Sequence, residues 1–327
     1  MTTRARQFDG AIGASIKGFD LTHAGEPCDL ESLREAVEQR MTQLLLESGD
    51  QADLLAAAMR AGALSAGKRM RPLLVMLVAR DLGCTSPALV DVACAVEMVH
   101  AASLILDDMP CMDNARLRRG RPAIHVQYGE DVAILASVAL LSRAFGVLAT
   151  AGDIPPVTRA RLVARLSETV GTQGLARGQY QDLHGGARTL DAIATTNELK
   201  TGVLLGVAVD MAAIIAQADE RVATSLRAFA LAAGHAFQIR DDFLDLPGTE
   251  SGKDTGKDQG KSTLLASLGF EEAQRRLARY LDDAQQHLED ALGPQGGTHL
   301  FVGGLFAKGR ARLRVPLDAA RREALVN

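Results

Sequence analysis

The sequence predicts an all-α protein, a single large helical bundle, and three observations carry that reading. Good helix formers (Ala, Leu, Glu, Arg, Gln) fill long stretches, whereas aromatics make up only 4 % of the chain and Trp is absent. Strands favour aromatic and β-branched residues instead. Apolar residues, 47 % of the total, recur at helical spacing near both ends. The apolar runs between those ends have helix length and are divided by Gly and Pro, with no βαβ alternation and no repeat of fixed length.

Residues 1–28 carry Gly, Thr, Pro and scattered charge without a period, and read as a mobile arm. Order begins at Asp29, an N-cap, because Leu30, Leu33, Val37, Met41, Leu44 and Leu45 follow on one helical face. Further apolar runs lie at 72–82, 89–108, 131–149, 157–171, 198–216 and 223–246. Gly83, Pro110, Gly120 to Pro122, Pro155-Pro156, Gly185-Gly186 and Pro247-Gly248 separate them. Phe270, Ala273, Leu277, Leu281, Ala284 and Leu288 then mark a last amphipathic helix. No Pro/Ser-rich linker splits the 327 residues, so 29–315 reads as one domain and 316–327 as a tail. Helices apolar nearly all round belong at the centre of such a bundle.

Composition also excludes functions. With 36 basic and 40 acidic residues the formal charge is −4, which gives no reason to expect nucleic acid or an anionic membrane. Scarce rings argue against a protein that stacks bases. Cys28, Cys84, Cys94 and Cys111 show no CxxC spacing and no pairing with His, as expected of buried, reduced thiols in a cytoplasmic protein. Residues 1–18 contain no apolar signal core. The most apolar later stretch, 203–216, is interrupted by Asp210 and is short for a bilayer, so no stable membrane insertion is expected.

Two acidic clusters end apolar helical runs: Asp107-Asp108-Met-Pro-Cys-Met-Asp113, and Asp241-Asp242-Phe-Leu-Asp245. Asp241 and Asp245, four apart, share a helix face; Pro110 breaks the first helix and lets the chain return Asp113 to the pair. Carboxylates at a helix C-terminus repel one another and oppose the dipole, and a cation removes that penalty. Oxygen ligands without His or Cys suit Mg²⁺, several ions per site, with Mn²⁺ as a substitute. Basic residues accompany the clusters: Lys68, Arg69 and Arg71 before one buried run, Arg118, Arg119 and Arg121 after the first acidic motif, Lys200-Thr201 at the head of another run, and Lys253, Lys257 and Lys261 in a Gly-rich stretch. Together they describe a pocket for more than one phosphorylated group. Gly260-Lys261-Ser262 is no P-loop, since Thr255 stands where the first Gly is required and no strand precedes it.

Gly-Lys-Arg-Met-Arg-Pro at 67–72, the two acidic motifs, Leu-Arg-Arg-Gly at 117–120, Gly-Gln-Tyr-Gln-Asp-Leu at 178–183, Lys200-Thr201 and Phe-Gln-Ile-Arg-Asp-Asp-Phe-Leu-Asp at 237–245 together resemble the trans-isoprenyl diphosphate synthases. The stretch 107–125 is especially similar to the bacterial geranylgeranyl type. The resemblance implies a helical bundle around a deep cavity, usually a homodimer, that joins isopentenyl diphosphate to allylic diphosphates (dimethylallyl, geranyl, farnesyl). It implies that Asp107, Asp108, Asp113, Asp241, Asp242 and Asp245 hold Mg²⁺. Arg118, Lys200, Thr201, Gln238 and Lys253 would contact the allylic diphosphate, with Lys261 supporting a closed flap. Lys68, Arg71, His100 and Arg119 would hold isopentenyl diphosphate, and Gln179 and Asp182 would line the pocket. Asp107, Asp108, Lys200 and Asp241 stand nearest the chemistry. Asn114-Ala115 departs from relatives that continue with Asp, although the three expected carboxylates remain.

Product length is read at position 102, about 7.5 Å along the helix from Asp107 at 1.5 Å per residue. An aromatic there forms a floor in related fifteen-carbon synthases; Ala102 and Ser103 leave it open, favouring the twenty-carbon product. The same small residues also suit close helix packing. Other readings are a farnesyl or longer-chain synthase, or a non-catalytic regulatory subunit, which would be expected to have lost acidic residues.

Overall fold

The computed structural model describes residues 29–46, 53–185, 195–196, 198–244 and 268–312. The expectations for residues 1–28, Asp245, Lys253, Lys261 and the tail 316–327 lie outside the described residues, as does the Thr201 side chain.

The chain is helical as expected. In order come α1 (Leu30–Leu46), α2 (Leu54–Ala63), α3 (Met70–Asp81), α4 (Leu89–Asp107), a hairpin of β1 (Leu117–Arg118) and β2 (Arg121–Pro122), α5 (Ile124–Tyr128) and α6 (Glu130–Thr150). Then follow α7 (Pro156–Val170), α8 (Leu175–His184), a π-helical turn (Glu198–Gly202), α9 (Val203–Ile215), α10 (Glu220–Leu244), α11 (Phe270–Leu292) and α12 (Gly297–Arg312). Asp29 sits at the head of α1, its carboxylate accepting from Glu31 N at 3.0 Å, and Asp53 caps α2 through Leu55 N. Pro156 opens α7, where a missing N–H costs nothing.

The core forms where sequence hydrophobicity is least periodic. Residues 72–79 of α3 are all buried, α4 and α9 are buried on nearly every side, and these three helices pack on one another. Helix α6 lies along α4, and α11 along α10. The amphipathic α1 and α11 cover the outside with Leu33, Val37 and Met41, and with Ala273, Leu277 and Leu288.

Several expectations need correction. The stretch at Gly120 to Pro122, read as a breaker, belongs to a two-stranded hairpin. Helices α2, α8 and α12 were not predicted; the buried positions of α8 reduce to Gly178, so no apolar period announces it. Cys94 is buried and its thiol is pushed up by desolvation, but Cys84 is half-buried and Cys111 exposed. Two helices, α4 and α6, are long and apolar enough to cross a membrane by length and composition; α4 is mostly buried in the bundle, α6 much less so.

An apolar cavity lies between α3, α9, α10 and α12, lined by residues including Leu74, Leu205, Phe237 and Phe306. It is not the expected cavity along α4: Ala102 is fully enclosed, and neither Ala102 nor Ser103 lines it. The Ser103 hydroxyl instead donates to the His100 carbonyl at 2.8 Å.

Candidate active site

Helix α4 ends at Asp107, and Pro110 turns the chain back as its position predicts. Asp113 N donates to the Asp107 carbonyl at 3.0 Å and Ala115 N to that of Asp108 at 3.1 Å, which closes the first acidic motif into a compact loop. Asp107 and Asp113 both face Lys200, whose Nζ is 3.0 Å from Asp107 Oδ1 and 4.0 Å from Asp113 Oδ2. Its shortest contact is with Asp182 Oδ2, at 2.7 Å. Gln179 Nε2 donates to Asp107 Oδ1 at 3.0 Å. Burial works to lower the Lys200 pKa, but the charges of Asp107, Asp182 and Asp113 outweigh it and raise the pKa.

Backbone geometry explains how Lys200, Gln179 and Asp182 meet. Lys200 lies in the π-helical turn, a local form often found at functional sites. Glycines let neighbouring helices approach that turn closely. A Cβ at Gly178 of α8 would sit 2.6 Å from Lys200 N, and one at Gly234 of α10 would sit 3.3 Å from Gly202 Cα. Gln179 and Asp182 then follow Gly178 along α8.

Asp108 faces a different cation. Only 3 % of its surface is exposed, and Arg118 grips both its oxygens: Nε lies 3.0 Å from each, and Nη2 contacts Oδ1 as well. Desolvation raises the Asp108 pKa, with Arg118 opposing and the Asp107 charge adding to it. His125 of α5, a residue the sequence reading left without a role, adds a charge interaction with Asp108.

Arg119, the next residue, points elsewhere, and the hairpin is the reason. Arg119 and Gly120 both have positive φ (53° and 74°), as the central pair of a two-residue hairpin turn requires. The turn sends Arg119 Nη1 to the Ala66 carbonyl at 2.7 Å, against Gly67. A similar divergence occurs at the head of α3. Arg69, at φ 49°, is turned inward to Glu97 (2.9 Å), Glu38 (3.1 Å) and the Ala63 carbonyl, while Arg71 Nη1 lies 3.1 Å from His100 Nε2. Lys68, the residue before Arg69, is exposed.

The His100 ring is held neutral. Burial, then the charges of Arg71, Arg119, Arg118 and Arg69, push its pKa well below the ordinary histidine value. Arg71 donates to Nε2, so the proton sits on Nδ1, which is buried with no hydrogen-bond partner among the described residues; Arg71 Nε is buried and unpartnered likewise. Buried polar groups left without partners are uncommon in folded proteins.

The second acidic motif ends α10. Gln238 donates to Asp242 at 3.1 Å, Arg240 Nη2 lies 3.2 Å from Asp241, and the Asp241 charge reaches Arg71. Thus the first motif gathers with Arg118 and Lys200, while Arg71, His100 and Arg119 form a second group beside Asp241. Arg240 was missed by the sequence reading, where it appeared only as part of a motif.

A polyprenyl synthetase family profile matches residues 52–292. The chain belongs to the polyprenyl synthetase family. It is 49 % identical over 282 residues to the geranylgeranyl diphosphate synthase of Pantoea ananas, an alignment spanning 85 % of this chain and 93 % of that protein. It is 41 % identical over 277 residues to the farnesyl diphosphate synthase of Geobacillus stearothermophilus, across 80 % and 91 % of the two chains. Among solved structures it superposes on an FPP/GFPP synthase from Zymomonas mobilis with a TM-score of 0.73 and 32 % identity, covering 85 % of this chain and 100 % of the other. These matches agree with the helical fold.

Family membership raises the question of Mg²⁺, and the donor set fits it. Asp107, Asp108 and Asp113 offer carboxylate oxygens, the hard ligands this ion prefers. Among the described residues no three acidic, His or Cys side chains are already gathered closely enough to hold an ion. Lys200 and Arg118 face those oxygens instead and offset part of their charge.

Proposed function

We propose that this chain is a geranylgeranyl diphosphate synthase that condenses isopentenyl diphosphate with allylic diphosphates. The observation that carries the reading is the pairing of the carboxylate cluster at the end of α4 with a cation-rich group, Arg71, Arg119 and neutral His100, on the neighbouring elements. The identity to the Pantoea ananas enzyme supports the same assignment.

In this reading Asp107, Asp108 and Asp113 hold Mg²⁺ with Asp241, Asp242 and Asp245. Bound there, Mg²⁺ supplies Lewis-acid neutralisation of the allylic diphosphate. Lys200 and Arg118 add fixed positive charge where the leaving group gains negative charge, joined by Thr201, Gln238, Lys253 and Lys261. The allylic C–O bond breaks with its electron pair going to diphosphate. The double bond of isopentenyl diphosphate, held by Lys68, Arg71, His100 and Arg119, attacks the allylic carbon. A proton then leaves for the departing diphosphate and a new double bond forms. Closure over the phosphates keeps water from trapping the cation.

Ala102 and Ser103 favour a product longer than fifteen carbons. The deciding experiment is turnover of labelled isopentenyl diphosphate by the purified protein alone, with and without Mg²⁺, followed by chain-length analysis. A twenty-carbon, metal-dependent product is expected; no turnover supports a regulatory subunit. A fifteen-carbon product supports the farnesyl reading, the activity for which the Geobacillus relative at 41 % identity is named. Ala102→Tyr is expected to shorten the product, and unchanged twenty-carbon output removes position 102 from chain-length control.

The proposed protein is a cytoplasmic homodimer. Helix α6 exposes Ile134 (45 %), Leu135 (55 %) and Val138 (58 %) on a largely apolar helix, a surface suited to a second copy. Val138→Glu is expected to shift the protein to monomer in light scattering.

A further inference from the structure

We propose that Arg240 is a positioning residue that couples the seating of the C-terminal helix α12 to the setting of Asp241. The inference rests on the function proposed above, in which Asp241 serves the diphosphate site.

The guanidinium of Arg240 is fixed from three directions. Its Cζ lies 4.4 Å from the centroid of the Phe237 ring, on its own helix, and 5.9 Å from that of Phe306 on α12. The two rings are 4.7 Å apart, so one aromatic pair spans both helices and carries the cation. Arg240 Nη1 donates to the Leu305 carbonyl of α12 at 3.4 Å, and Nη2 holds Asp241 Oδ1 at 3.2 Å. Its side chain is 14 % exposed, whereas that of Asp241 is 48 % exposed. The anchored partner is therefore Arg240, and the partner it restrains is the carboxylate. Nε is buried with no hydrogen-bond partner among the described residues, so packing against rings and two directed bonds hold this side chain.

A planar guanidinium can lie along an aromatic face and still direct separate N–H groups to a carbonyl and a carboxylate; a lysine ammonium cannot do all three. Phe306 belongs to the apolar cavity lining and to none of the proposed diphosphate contacts. Removing its ring takes away one wall of the guanidinium's seat. Asp241 then loses its restraint through Arg240 alone. The seating of α12 thereby reaches the acidic motif without any residue of α12 touching substrate.

The test uses the full chain with Phe306→Ala, Phe306→Leu, Arg240→Gln and Arg240→Lys, and two readouts independent of turnover. Hydrogen exchange along α12 reports its seating; Mn²⁺ affinity in the presence of inorganic diphosphate, read by electron paramagnetic resonance, reports the acidic site. Partners that orient metal ligands typically matter roughly 10- to 100-fold in affinity. Phe306→Ala and Arg240→Gln are expected to speed α12 exchange and to weaken Mn²⁺ binding about tenfold, near the lower end of that range. Phe306→Leu, which keeps apolar volume without the ring, and Arg240→Lys, which keeps charge without the fork, should show smaller shifts in the same direction. Faster α12 exchange with unchanged Mn²⁺ affinity in the Phe306 variants overturns the coupling and leaves Arg240 a mere helix pin. Unchanged α12 exchange in Arg240→Gln overturns it equally. Absence of both Mn²⁺ binding and prenyl transfer in the unaltered protein overturns the proposed function, and this inference with it, even where α12 exchange responds as expected.

Discussion

The two halves of the site handle charge in opposite ways. Around the end of α4 each acidic group faces a cation: Asp107 and Asp113 face Lys200, and Asp108 faces Arg118. Around the head of α3 cations are in excess. Arg71 and Arg119 surround a neutral histidine, and the nearby carboxylates are engaged elsewhere, Glu97 with Arg69 and Asp241 with Arg240. With Asp107, Asp108, Asp113 and Asp182 against only Lys200 and Arg118, the first cluster is net acidic and does not attract an anion until further positive charge arrives, whereas a cationic group attracts one directly. The contrast teaches that the two diphosphates have different requirements. In the proposed function one half depends on metal, and the other is complete in the side chains alone.

Chelation is the largest test of that difference. Treatment with EDTA is expected to abolish transfer while isopentenyl diphosphate still binds, as measured by calorimetry, through Arg71, His100 and Arg119. Binding of an allylic diphosphate analogue should be lost under the same conditions. Equal loss of both ligands would show that the two halves share one metal requirement.

A smaller effect comes from the backbone that assembles the first half. The Cβ of Gly178→Ala would fall 2.6 Å from Lys200 N and 2.7 Å from Leu199 C, both main-chain atoms that cannot swing aside. Helix α8 must then retreat from the π-helical turn, taking Gln179 from Asp107 and Asp182 from Lys200. Misplacement of catalytic groups by about 1 Å can cost on the order of 10²-fold in rate, and a fall of that order in kcat is expected here. The KM for isopentenyl diphosphate should stay near its original value, because Arg71 and His100 lie on other helices. A change in that KM with no change in kcat would place Gly178 in the wrong half.

Much of this arrangement was legible in the sequence, and what was not has a physical reason. The acidic motifs and the return of Asp113 past Pro110 follow from residue type and spacing, whereas the resemblance implies only a diphosphate contact for Lys200 and not its meeting with Asp107, Asp113 and Asp182. The outer helices follow from their period. Helix α8 was hidden because it buries little besides Gly178, and its neighbours are polar because they serve a site rather than a core. The separation of Arg118 from Arg119, and of Arg69 from Arg71, depends on single residues with positive φ. Direction after such a residue is set by three-dimensional context, and a run of basic residues carries no mark of it. Arg240 escaped for a related reason, since its partners on α12 are more than sixty residues away.

The smallest expected effect concerns the neutral histidine itself. Burial, then the surrounding guanidinium groups, hold the folded His100 pKa well below the value near 6.5 that it takes in an unfolded chain. Between those two values the unfolded chain binds a proton that the folded protein does not, so stability rises with pH there. The contribution is therefore fully present above about pH 6.5 and is lost as pH falls below it. Each pH unit in that window is worth at most about 1.4 kcal/mol. Denaturant titrations at about pH 7.5 and about pH 5.5 should show wild type losing more stability on acidification than His100→Asn, the difference being the His100 share. Removing the imidazole leaves Arg71 without its Nε2 acceptor, so the variant is expected to be less stable at the higher pH. The gap between the two proteins should then narrow as the pH falls. A gap that stays constant would mean that His100 is charged in the folded protein, and the cationic half would then hold one more positive charge than the comparison above allows.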